Sequence, residues 1–140
     1  MPLVNFNIRT LGDLVVREYE AADGYCRDEV LFASGNASTV LPLGTVLTKA
    51  AGGTTYRKAV AGDVATATNT YAVVIGDHFD VRTGFVVAAN VQPLVLSYVR
   101  GPLQLSDFLI RANNAGFSEA QYQSLFAALK AQGIIVLKAV

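Results

Sequence analysis

The residues best placed to do chemistry in this chain stand together at Asp77-His78-Phe79-Asp80. His78 is the only histidine, and Asp77, His78 and Asp80 are all of metal-ligating type. A turn that follows a strand and a glycine also calls for Asp on backbone grounds alone. Three ligands on one tight turn rarely converge on an ion without a distant partner, and none is evident. Nucleophilic catalysis would need a serine or cysteine paired with this histidine, but there is no Gly-x-Ser-x-Gly elbow, and nothing around Cys26 marks it as a thiolate. Gly52-Gly53-Thr54-Thr55 lacks the lysine of a phosphate loop and opens no helix, so it reads as a hairpin turn. Asp23, Asp28 and Glu29 surround Arg27 and read as a solvated, ion-paired face. Arg17, Arg27, Arg57 and Lys58 form no tract, and the aromatics are not interleaved with them as a nucleic-acid platform requires. These residues support no enzyme and no cofactor. A metal- or ligand-binding site on Asp77, His78 and Asp80 is the alternative from another class.

The elements that would position such groups are mostly strands. Tyr25 to Leu47 organises the chain: an apolar run Val30–Ala33, a turn at Ser34-Gly35-Asn36, then Val40-Leu41 leading through Pro42 and Gly44 into Thr45-Val46-Leu47. Thr54 to Ala59 is expected to return as the second strand of a hairpin. Tyr71 to Ile75 is a continuous apolar run that predicts a central strand buried on both faces. Phe85–Ala88 and Leu94–Val99 are further strands, the second stopped by Arg100-Gly101-Pro102. Leu103 to Ala112 fits either a strand or a short helix. From Glu119 to Gln132 the apolar positions Tyr122, Leu125, Phe126 and Leu129 share one helical face. Ser118 and Gln121 are spaced for a capping box, Gly133 stops the helix, and Ile134–Leu137 closes the chain as a strand.

The N-terminal stretch differs. Val4, Phe6 and Ile8 alternate with Asn5, Asn7 and Arg9, the period of an extended strand with one apolar face. Leu14 to Tyr19 resumes an extended pattern, and Ala21–Gly24 is a turn. Two readings fit: an arm whose backbone pairs with a neighbour's sheet edge, or an ordinary first strand of the domain's own sheet. Strand periodicity does not name the partner strand.

The totals bound the rest. At 140 residues the length suits one domain, and 11 basic against 11 acidic residues create no field toward nucleic acid or membrane. The chain is 52% hydrophobic and 16% charged, against about 25% charged for an ordinary domain. So little charge on a small body implies apolar area turned toward a partner or another copy. One cysteine excludes an internal disulfide framework and a cysteine zinc site, and its default place is a small buried residue. No signal peptide and no membrane span are expected.

In serial order these features resemble the lambda-type head decoration (capsid-stabilising, cementing) proteins of tailed bacteriophages. The likeness runs over about residues 18 to 138. It is carried by Glu20–Phe32, Gly35, the Leu41-Pro42-Leu43-Gly44-Thr45-Val46-Leu47 corner, Lys49 and Tyr56 of the hairpin, Ala72–Ile75, the Val99-Arg100-Gly101-Pro102 exit, and a last helix followed by Gly-Ile-x-Val at residues 133–136. The relatively long N-terminal segment and Leu103, where the family often has a small residue, depart from the pattern.

The strand pattern with one late helix predicts a mainly β (α+β) fold, and with the resemblance this becomes a small β-sheet or barrel-like domain over 25–140, with one C-terminal helix near 119–132 and an extended N-terminal arm over 1–24. The resemblance implies a non-enzymatic virion protein, made in the host cytoplasm and mounted on the outer surface of the expanded capsid head. There it would be a homotrimer at three-fold and quasi-three-fold positions, stabilising the shell against packaged DNA. Its partners would be the major capsid protein and itself, with no nucleic acid and no membrane. In that setting Val4, Asn5, Phe6, Asn7, Ile8 and Arg9 would pair with a capsid strand by β-augmentation, and three arms per trimer would add avidity. Another trimeric virion module, a fibre or receptor-binding unit, is the second alternative.

Overall fold

Short runs of β-branched and aliphatic residues, broken by glycine and small polar turns, give this chain strands of two to five residues. A computed structural model describes residues 11–75 and 85–139. The strands are β1 (Val15–Glu18), β2 (Arg27–Leu31), β3 (Thr39–Leu41), β4 (Val46–Lys49) and β5 (Arg57–Lys58). They continue with β6 (Thr70–Val74), β7 (Phe85–Val87), β8 (Leu94–Tyr98), β9 (Leu103–Ser106) and β10 (Ile134–Leu137). Two helices, α1 (Asp107–Asn113) and α2 (Glu119–Ala131), lie between β9 and β10.

The fold is mainly β, as expected, but among the described residues the strands form three sheets and not a closed barrel. The largest has the order β2-β8-β6-β4-β5 and is antiparallel throughout. It is the middle layer. Tyr71 and Val73 of β6 pack into one core with Leu14, Tyr98, Leu105, Ile110, Leu125 and Leu129. Ala72 and Val74 pack into a second core with Phe32, Leu41, Leu47, Val87 and Val95. The alternation of β6 between two cores explains its uninterrupted apolar run. The second core is covered by the β3–β7 pair, and the first by the helices and a sheet of order β1-β9-β10.

The Pro42–Thr45 corner between β3 and β4 is held from α1. Gly44 has φ +90°, and a Cβ there would stand 3.2 Å from Cβ of Leu109, so both its conformation and its neighbour favour glycine. Buried Asn114 donates through Nδ2 to the carbonyls of Gly44 (3.0 Å) and Ile110 (2.6 Å), and its Oδ1 accepts from Val46 N–H at 2.8 Å. Asn113 adds a bond to the Leu43 carbonyl at 2.7 Å.

Four expectations change. Residues 1–24 read together as an arm under the resemblance, but residues 11–24 belong to the body. Leu14 is fully buried in the first core, and β1 pairs antiparallel with β9. The ambiguous stretch 103–112 is both strand and helix: β9 runs directly into α1, with Ser106 as its N-cap. Among the described residues there are therefore two α-helices where one was expected. Of Thr54–Ala59, only Arg57–Lys58 joins the β4 ladder, while Tyr56 bridges to Phe32.

In the β1-β9-β10 sheet, β10 runs parallel to β9 and β1 runs antiparallel. Ser106 therefore sits between Leu137, its ladder partner, and Leu14, whose carbonyl accepts from Ser106 N–H at 2.7 Å.

Candidate interaction surface

The residues singled out for partner binding, Val4, Asn5, Phe6, Asn7, Ile8 and Arg9, lie outside the described residues, as do Asp77, His78 and Asp80. Cys26 is buried, with its thiol directed at the carbonyls of Pro102 (3.4 Å) and Tyr19 (3.6 Å), and burial pushes its pKa up. It is packing, not a nucleophile.

Most of the ionic groups inside the body serve the fold. Arg27 pairs not with its sequence neighbours but with Glu18 of β1, through two bonds of 2.9 Å. Tyr98 of β8 donates to the same carboxylate at 2.6 Å. Burial would raise the Glu18 pKa, but the bonds from Arg27 and Tyr98 together hold it below the ordinary carboxylate value. Arg57 grips Asp63 in a two-point pair, and Asp63 also accepts from Val60 N–H at 2.7 Å. Arg111 bridges Asp107 and Glu119 while lying over the rings of Tyr122 and Phe126. Asp28 meets Arg100 at 3.5 Å on the surface, so the solvated reading holds for it. Among the described residues no group of acidic, histidine and cysteine side chains is placed to hold a metal ion.

Exposed apolar residues gather on the outer face of the β1-β9-β10 sheet. Leu103 and Leu105 of β9 and Ile134 of β10 point into the first core, so the alternate residues face out. On that face Ile135 stands beside Gln104, which is flanked on its other side by Arg17. One row on, Leu137 stands beside Ser106, and Val16 is the extra residue of a β-bulge in β1. Val16 is 56% exposed, Phe108 45%, Ile135 39% and Leu137 38%. The face carries two hollows. One of about 440 Å³ runs from Arg17 and Tyr19 to Ile135, and one of about 560 Å³ lies between Gly12, Val16, Phe108 and Leu137. Tyr19 packs edge-on against Tyr25 with ring centroids 5.6 Å apart, and Arg100 lies over Tyr25, which extends the polar-aromatic rim.

Sequence reasoning missed this face although one signal was present. Ile134-Ile135-Val136-Leu137 is continuously apolar, a pattern suited to a strand covered on both sides. Among the described residues β10 instead lies at the sheet's edge, with Ile135 and Leu137 exposed. The face combines exposed apolar side chains with Arg17, Tyr19 and Glu20, which line the first hollow. No helix among the described residues is long and apolar enough to cross a membrane. Set against family models, curated proteins and solved structures, the chain matches none.

Proposed function

We propose that this chain is a structural virion protein of the head-decoration type. In this reading it is a homotrimer that seats on the outside of the expanded capsid, with its N-terminal residues pairing with strands of the major capsid protein. The observation that carries the reading is the open apolar face of the β1-β9-β10 sheet, which adjoins the point where residues 1–10 join the body. An apolar face with a polar and aromatic rim suits an assembly subunit. The serial order of motifs over residues 18–138 supplies the class of assembly, and the Gly44 corner held by Asn114 gives the most diagnostic of those motifs a structural reason.

The mechanism is β-augmentation with avidity. Backbone pairing of Val4 to Arg9 sets register, Val4, Phe6 and Ile8 bury against the shell, and three arms held by one trimer act together. Co-sedimentation of the purified chain with expanded and with unexpanded heads of its cognate capsid protein tests this. Binding to expanded heads only, and its loss when residues 1–10 are removed from a still-trimeric body, is expected. Equal binding to both head forms, or full binding by the truncated trimer, would overturn it.

A further inference from the structure

The middle sheet curls until its two edges touch at one point. β2 and β5 are its outer strands, yet just before β5 Tyr56 N–H donates to the Leu31 carbonyl at 2.8 Å, and Ala33 N–H donates to the Tyr56 carbonyl at 3.0 Å. The contact is a single bridge, Phe32 to Tyr56, and does not continue as a ladder. Beside it a hollow of about 350 Å³ remains between the β2 edge and the β4–β5 hairpin, with Asp28, Glu29, Lys49, Thr54, Tyr56 and Arg100 in its wall. We propose that this hollow binds a small zwitterion, a free α-amino acid, with its carboxylate on Lys49 and Tyr56 and its ammonium group on Glu29.

Charge and hydrogen-bonding capacity support it. Tyr56 is only 7% exposed, and among the described residues its hydroxyl has no hydrogen-bond partner. Fully buried side-chain nitrogens and oxygens among those residues all have one, so the Tyr56 ring is buried and its hydroxyl is the part that opens on the hollow. A phenol left unbonded at that depth calls for an acceptor. Lys49 lies over the same ring, its Nζ 5.0 Å from the centroid. Among the described residues neither Lys49 nor Glu29 belongs to an ion pair. Arg100 and Asp28 neutralise each other at 3.5 Å, and Arg100 also donates to the Tyr25 carbonyl at 2.7 Å. The hollow thus keeps one uncommitted charge of each sign and a phenol donor. A dianion such as phosphate would meet two carboxylates, and a dication would meet Lys49 and Arg100. A ligand with one charge of each sign avoids both penalties. The volume lies at the lower end of the range for small-molecule sites, which suits an amino acid better than a nucleotide. This inference goes beyond the decoration reading and does not rest on it, since none of these residues lies on the β1-β9-β10 sheet.

The test uses the full chain, without heads. Saturation-transfer NMR against each of the common L-α-amino acids should find at least one that binds saturably, with Kd below roughly 10 mM. The N-acetyl and methyl-ester derivatives of that amino acid each lack one of the two charges, and should bind about tenfold more weakly or worse. Lys49→Met and Glu29→Gln should each weaken binding of the free amino acid by about the same factor, with unchanged far-UV circular dichroism. Should Lys49→Met disturb the hairpin, exposed Glu29→Gln and the two derivatives on the unsubstituted chain decide the matter. No saturable binding by any of the amino acids, derivatives that bind as well as the free form, or full binding by Glu29→Gln would each overturn the proposal. The head-binding assay is a separate readout, so failure here leaves the decoration reading standing.

Discussion

The side-chain amide of Gln132 stands beside Tyr71 as a strand would. Its Oε1 accepts from Tyr71 N–H at 2.8 Å, and its Nε2 donates to the Tyr71 carbonyl at 2.8 Å and to the Val99 carbonyl at 3.1 Å. One residue past the end of α2 thus completes the hydrogen bonding of β6 and of the exit from β8.

Replacing that amide should leave several main-chain groups without partners. Gln132→Leu is expected to lower unfolding free energy by about 2–3 kcal/mol in urea titration. Gln132→Glu should do no better, because a carboxylate accepts from Tyr71 but cannot donate to either carbonyl. A loss below about 0.5 kcal/mol would mean that water replaces the amide.

Asn114 and Tyr122 should act as a unit. The Tyr122 hydroxyl donates to the Asn114 carbonyl at 2.6 Å, while the Asn114 side chain holds the Gly44 corner. Asn114→Ala should cost about 2–4 kcal/mol and Tyr122→Phe about 1 kcal/mol. The double variant should fall short of their sum. Strict additivity in chemical denaturation would show that the two bonds are independent.

Two glycines should differ sharply in their tolerance of alanine. A Cβ on Gly101 would overlap the Gly133 carbonyl, a backbone group that cannot swing away, whereas nothing lies within 4 Å of the same position on Gly62. Gly101→Ala should lower the melting temperature steeply or prevent folding. Gly62→Ala should stay within about 1 kcal/mol of the parent. Similar melting curves for the two variants would contradict the close packing of 101 on 133.

Stability should fall on both sides of a neutral plateau. The Arg57 pair holds Asp63 below the ordinary range, Glu18 is held low by Arg27 and Tyr98 against the effect of burial, and Arg111 holds exposed Glu119 at about 2. Carboxylates with depressed folded values stabilise the protein above their unfolded values and lose that effect as pH falls through the folded ones. The acid decline should therefore begin below about pH 4.5, and Glu18→Gln should flatten it. At the other end, burial raises Tyr98, Tyr71 and Tyr56 above the usual 10. Protonated phenols are favoured in the fold, so stability should drop as pH climbs past about 10. A pH series of urea midpoints that is flat from 3 to 11 would contradict both arms.

How far the sequence spoke depended on how local each signal was. The capping box of α2 was legible and both its bonds form: Ser118 N–H to Gln121 Oε1 at 2.8 Å and Gln121 N–H to Ser118 Oγ at 3.2 Å. The two-sided burial of β6 was legible in Tyr71–Ile75 for the same reason, since a continuous run reports both neighbours at once. α1 was not, because four strand residues and seven helical ones follow without a breaker, and neither is long enough to declare a period. The true start of the body was hidden too. Leu14 and β1 are fixed by β9, far along the chain, and alternation does not name a partner. The outer face joins Val16, Phe108 and Leu137 from three distant segments, so only the surplus of apolar residues in β10 hinted at it.

The opposed directions of β1 and β10 on either side of β9 have a practical consequence. Residues 14 and 137 both flank Ser106, so the chain enters and leaves the body at one end of one sheet. Cargo carried on the C-terminal side of β10 would emerge beside Ser106, next to Leu14. Cargo inserted in the exposed Gly52-Gly53 turn, which joins β4 to the edge strand β5 of the middle sheet, would stand on a different sheet.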